Sequence, residues 1–202
     1  MPEIAPTSLK RRTISLTSIP DLSDLERRIE ALETEQATLT ANAPEDSLSM
    51  VIMSGDLDRI LAALIIATGA AAMFEKVSMF FTFWAIPALR DPKKAPPAKD
   101  FMSRMFGWML PKGVPELKLS RMNMGGMGTG MMKGLMKKKN IMGVEQLLQQ
   151  AAQSGVEICI CQMSMDLMGF KSEEMIDYPN RTLCGVATFL ANAGTSKVSL
   201  FI

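Results

Sequence analysis

"LSMVIMSGDLDRILAALIIATGAAAMFEKVSMFFTF" (residues 48–83) carries the reading that decides the fold. Its first part, "LSMVIM" (48–53), is a short apolar run and reads as a buried strand. "SGDLDRILAALIIATGAAAMF" follows as a turn and a helix, with Ser54 or Asp56 at the cap. "KVSMFFTF" (76–83) is a second apolar run of strand length. Two such strands joined by an apolar helix make a βαβ unit, the building block of a parallel sheet.

The same stretch also has to be weighed against a membrane span. Residues 60–89 are apolar except for Glu75 and Lys76, which split them into runs of 15 and 13. Both fall short of the roughly 20 residues that a spanning helix needs, so a buried helix followed by a buried strand and turn is expected.

The rhythm continues downstream. A helix leads into "GVEICIC" (155–161), a third strand. "GVATFLANAGTS" (185–196) is a small-residue helix, and "KVSLFI" (197–202) is a closing strand. Strands alternating with helices predict an α/β sandwich with a mostly parallel sheet covered on both faces. Ligands then belong at the carboxyl edge of the strands.

Two segments stand outside this pattern. Upstream, residues 1–20 read as a disordered basic lead. Residues 21–40 read as an amphipathic helix with Leu22, Leu25, Ile29 and Leu32 along one seam. With fewer than three heptads, it either docks on its own domain or forms a short oligomerising coiled coil. "TANAPED" (40–46) reads as a linker, which starts the globular domain at residue 47. Residues 100–142 interrupt the α/β rhythm and hold ten of the chain's 19 methionines, with seven glycines and a lysine run. They read as an inserted lobe: a helix, an extended piece, and a second helix from about Gly128 to Lys139.

Composition narrows the chemistry. The 202 residues are 48% hydrophobic and 21% charged, which supports a sizeable core. The net charge is +1, which speaks against nucleic acid as a partner. Positive charge is concentrated over residues 90–139, with twelve Lys or Arg against three acids. Histidine is absent, so Ser-His-Asp and Cys-His catalysis and histidine metal sites are excluded. Three cysteines without C-x-x-C spacing predict neither a disulfide framework nor a zinc site, and a reducing, cytoplasmic setting fits them. No cofactor or metal is expected.

Cys161 is the candidate for chemistry. It closes a predicted strand just before a short helix through "MDLMGF", with Ser164 or Asp166 as its cap. A thiol before a helix N-terminus is favoured as thiolate, and a thiolate at this edge can act as nucleophile or hold a transferable sulfur. The competing reading is a small buried hydrophobe, and the residues alone leave both open. Cys159 reads as structural. Cys184 is either a resolving partner for Cys161 or a small residue at a tight turn. "GGMGTGMMK" (125–133) lacks the Lys-Ser/Thr ending of a phosphate loop and reads as a flexible turn with some capacity for anions. Candidate binding residues are Ser54 and Gly55 after the first strand, Asn123, Gly125 and Gly126 in the glycine turn, and Met163 and Ser164 beside Cys161. The Met-rich lobe fits core packing between subunits, a plastic docking surface or an interfacial membrane contact, with copper(I) binding by thioethers a weaker fourth reading.

Several strings, "NMGGMGTGMMK" and "CQMSMDLMG" above all, resemble the DsrE/DsrF/DsrH-like family, in its larger branch with a Met- and Gly-rich insert. The resemblance covers about residues 48–202. It implies a flavodoxin-like three-layer fold, self-association, and intracellular sulfur transfer in which a cysteine holds sulfur as persulfide or thiosulfonate. It also implies rhodanese-type and TusA-like relay partners and places the family's motif cysteine at Cys161. It assigns no role to Cys159 or Cys184.

Overall fold

The computed structural model describes residues 21–41, 43–94 and 101–202. The basic lead over 1–20 lies outside them. The described chain forms two units, divided after Ala43. The first holds one helix, α1 (Leu22–Ala41).

The second unit begins with β1 (Glu45–Ile52), so the last two residues of the expected linker are already strand. It continues through α2 (Leu57–Ala70), β2 (Lys76–Phe81) and a 3-10 segment, Phe83–Leu89. Next come α3 (Phe101–Met109), a 3-10 turn at Val114–Glu116, another at Met124–Gly126, and α4 (Met127–Lys138). The remainder is α5 (Val144–Gln153), β3 (Glu157–Cys161), α6 (Gln162–Met168), β4 (Arg181–Cys184), α7 (Val186–Thr195) and β5 (Ser196–Phe201).

The strands form one sheet in the order β4-β3-β2-β1-β5, with every neighbouring pair parallel. Helices cover both faces of a wholly parallel sheet, as the alternation predicts, giving the flavodoxin-like three-layer sandwich that the family resemblance implies. One strand was not legible in the sequence. β4 has four residues, two of them exposed and two half-buried, and pairs only along β3. So short an edge strand shows no hydrophobic period of its own.

The two faces differ in kind. Leu48, Met50 and Ile52 of β1, Val77, Met79 and Phe81 of β2, and Ile158 and Ile160 of β3 point into the main core, against α2 and α5. The alternate residues point to α7. There the second cluster is small: Val51, Phe80 and Cys161, with Phe189 of α7 stacked on Phe80 at 5.2 Å. The rest of that face is hydroxyl-rich. Ser49 shares hydrogen bonds with Ser78 (3.0 Å) and Ser196 (2.8 Å), and Ser196 donates to the carbonyl of Asn192 (2.6 Å). Buried hydroxyls are tolerable because each finds a partner.

A buried ion pair locks the carboxyl edge. Arg90, just after the 3-10 segment, meets Glu174 at 3.5 Å with both side chains almost fully buried. Arg90 Nη1 also donates to the carbonyls of Gly107 (3.3 Å) and Pro111 (3.0 Å) at the end of α3. A helix leaves its last carbonyls without internal partners, and a cation is the favoured group there. The guanidinium lies 4.9 Å from the centre of the Phe170 ring, adding a cation–π contact. Breaking one side of a buried pair strands the other charge, at about 3–5 kcal/mol. Urea unfolding of Arg90→Met is therefore expected to show a stability loss of that size; a midpoint equal to wild type would show that α3 is held by other contacts.

Candidate functional site

Cys161 is the last residue of β3 and the N-cap of α6. The chain turns there because β3 has run its length against β2, where Ile160 is the partner of Phe81. The path then diverges. From β3 it enters α6, whose Met165 and Met168 join the main core. From β4 it enters α7 on the opposite face. Adjacent parallel strands whose exits part in this way leave a crevice at their carboxyl ends, the usual ligand position in open α/β sheets. Cys161 and Cys184 are register partners at that point.

The thiol of Cys161 is only 3% exposed. Burial pushes its pKa up, yet hydrogen bonds outweigh burial and hold it below the ordinary thiol value. The donors are the hydroxyl and amide of Ser164, the hydroxyl of Thr82 and the amide of Met163. The two hydroxyls also lie 3.0 Å from each other. The amides of Met163 and Ser164 belong to the first turn of α6 and lack helical partners, so they are free to serve the sulfur. Here the converging donors together outweigh the cost of burying the charge.

Of the sequence-derived candidates, Met163 and Ser164 thus stand with Cys161, Ser164 buried and Met163 63% exposed. Thr82 was not among them. It is an ordinary residue after a strand until the β2–β3 pairing sets it beside Cys161. Ser54 and Gly55 lie elsewhere along the carboxyl edge, in a cavity of about 940 Å³ with Trp84, Trp108, Arg59 and Lys118. Gly55 permits the close approach there, since a Cβ would run into the carbonyl of Trp84. Ser54 donates to Asp56 at 2.7 Å, at the head of α2. Asn123, Gly125 and Gly126 form the turn into α4. The Asn123 side chain accepts from Thr129 (2.8 Å), and its carbonyl accepts from the amides of Gly126 (2.8 Å) and Gly128 (3.0 Å). Gly125 and Gly126 have positive φ, 68° and 103°, as such a turn needs. These polar groups are engaged in holding the turn together.

The cysteines depart from expectation. The structure joins Cys159 to Cys184, 25 residues apart, with Cα atoms 6.0 Å apart, and leaves Cys161 as the free thiol. Spacing could not show this, because the pairing follows from β4 lying beside β3. Among the described residues no group of acids and cysteines is placed to hold a metal ion, and no helix is long and apolar enough to cross a membrane.

Residues 44–201 match the model of the DsrE/DsrF/DrsH-like family. The chain belongs to that family. It is 44% identical over 154 residues to YrkE of Bacillus subtilis (strain 168), an uncharacterized protein, covering 76% of this chain and 95% of that one. It is 33% identical over 162 residues to the sulfur carrier protein DsrE2 of Allochromatium vinosum, covering 78% of this chain and 99% of that one.

The hydrogen-bonded thiolate has a direct readout. Ultraviolet thiolate absorbance of Cys161 is expected to titrate below the roughly 8.5 of a free cysteine. Thr82→Val or Ser164→Ala removes a donor to the anion and moves the midpoint up by about one unit or more, from a bond worth about 1.5–3 kcal/mol. The ionised thiol stabilises the fold fully above the pKa of an unfolded cysteine, and that contribution is lost as pH falls through the lower folded midpoint. An unshifted midpoint in both variants would remove the hydroxyls from the site.

Proposed function

We propose that this protein is a sulfur carrier in which Cys161 takes sulfur from a donor, holds it as persulfide or thiosulfonate and passes it on. The observation that carries this reading is the convergence of two hydroxyls and two amides on one free cysteine at the sheet's carboxyl edge. Those donors favour the thiolate, the form that attacks a sulfur donor. They also make Cys161 a good leaving group when an acceptor thiol removes the outer sulfur. Near-complete burial then shields the loaded sulfur from stray thiols. Family membership and the relative named as a sulfur carrier support the same reading. TusA-like and rhodanese-type proteins are the proposed partners, in the cytoplasm, with the chain acting as a homo-oligomer.

Incubation with polysulfide, thiosulfate or tetrathionate should add sulfur mass at Cys161, resolved by peptide mass spectrometry, and Cys161→Ser should abolish it. A Cys161 left unmodified by all three donors would overturn the carrier reading.

One observation favours a docking role for the inserted region. α3 buries none of its residues, with Phe101 78% and Trp108 80% exposed, and Met127 and Met131 of the following segment are also exposed. Lys118 and Arg59 line the same cavity as Trp108, and Lys133, Lys137 and Lys138 follow Met131 along α4. Apolar side chains among cations suit a membrane surface with anionic headgroups. Liposome flotation should show salt-sensitive binding that Phe101→Glu with Trp108→Glu abolishes; flotation unchanged by that pair would exclude this surface.

A further inference from the structure

Strand alternation places Cys159, Cys161 and Cys184 on one side of the sheet, the side facing α7. The register sets Cys184 directly across from Cys161, and the fold joins it to Cys159 one step back along β3. Cys184 therefore stands between two other sulfurs. The three also differ in surroundings. Cys161 is buried with two hydroxyls and two amides close to its sulfur, whereas Cys159 and Cys184 are half-buried and line a separate cavity of about 280 Å³ with Ser78, Thr182, Thr188 and Asn192. A Cα separation of 6.0 Å falls within the roughly 4.4–6.8 Å that a disulfide spans, so the pair can open and close without moving the strands.

We propose that Cys159 and Cys184 form a redox couple that reduces the sulfur carried on Cys161 and releases it as sulfide. This rests on the carrier reading above. The thiolate of Cys184 attacks the outer sulfur of the Cys161 persulfide. A new sulfur–sulfur bond forms at Cys184, the bond at Cys161 breaks, and Cys161 leaves as thiolate. The thiolate of Cys159 then attacks Cys184 Sγ and expels hydrosulfide, forming the Cys159–Cys184 disulfide. The outer sulfur gains two electrons and the two thiols lose two; their protons pass to water and to the hydrosulfide. The order follows from the surroundings. The best-stabilised thiolate leaves in the first step, and exchange is faster from a more stable leaving thiolate. The cavity beside Cys184, with Ser78, Thr188 and Asn192 in its lining, gives hydrosulfide an exit. A dithiol reductant, small or protein-borne, resets the pair through the same cavity.

The test is a single turnover of reduced protein, freed of reductant under anaerobic conditions. The donors are thiosulfate labelled in its outer sulfur and, separately, labelled polysulfide. The wild type should release one labelled sulfide per chain while Cys159 and Cys184 become resistant to alkylation. Cys184→Ser should keep the label on Cys161 and lose sulfide release to background. Cys159→Ser should hold the label on Cys184 or Cys161 with the same loss. The proposal is overturned if the wild type keeps the label on Cys161 with Cys159 and Cys184 still alkylatable. It is equally overturned if Cys161→Ser releases as much labelled sulfide as wild type. Failure of the carrier reading looks different: the Cys159→Ser, Cys184→Ser double variant, with only Cys161 left, takes no label from either donor.

Discussion

The thiol of Cys161 is caught between two opposed effects. Burial penalises its charge, while two hydroxyls and two amides favour it, and the donors win. That balance exists only because β3 ends where α6 begins. One residue earlier, the side chain would face the main core with Ile160 and lie out of reach of the first amides of α6. One residue later, it would sit on the helix itself. The β2–β3 register supplies the remaining donor, since Thr82 leaves β2 level with the end of β3.

The asymmetry of the sheet has the same consequence on a larger scale. The face toward α2 and α5 is packed with large aliphatic and aromatic side chains, and it holds the domain together. The face toward α7 carries serines, threonine and the cysteines. Little apolar area is buried there, so the hydrophobic effect contributes less, and hydroxyl pairs and one aromatic stack supply order instead. A reactive group is more easily placed on such a face, because polar atoms close to it already have partners. The Arg90–Glu174 pair fixes the carboxyl edge independently, by tying the end of α3 to the loop after α6.

Much of the architecture was legible because parallel strands buried on both sides leave continuous apolar runs. β1, β2 and β3 each show one, and the helix between β1 and β2 has length and composition unlike either. β4 was not legible, since four partly exposed residues carry no period. Within the site, Cys161 and Ser164 could be read because both belong to one local unit, a strand exit and the helix turn after it. Thr82 could not, since only pairing with a neighbouring strand makes it relevant. The Asn123–Gly126 turn was legible as a turn; that its polar groups serve the turn itself depends on Thr129 folding back onto Asn123.

The sequence by itself determined an α/β sandwich, a chemistry without histidine and one cysteine at a strand's end, because local apolar patterning and residue type need no partner from elsewhere in the chain. The tertiary structure alone decided that Cys184 joins Cys159 and faces Cys161, and that Thr82 completes the donor set around the thiol. Those relations are set by which strands become neighbours and in what register. That choice is made by burying side chains from distant segments together, and no local stretch of residues contains it.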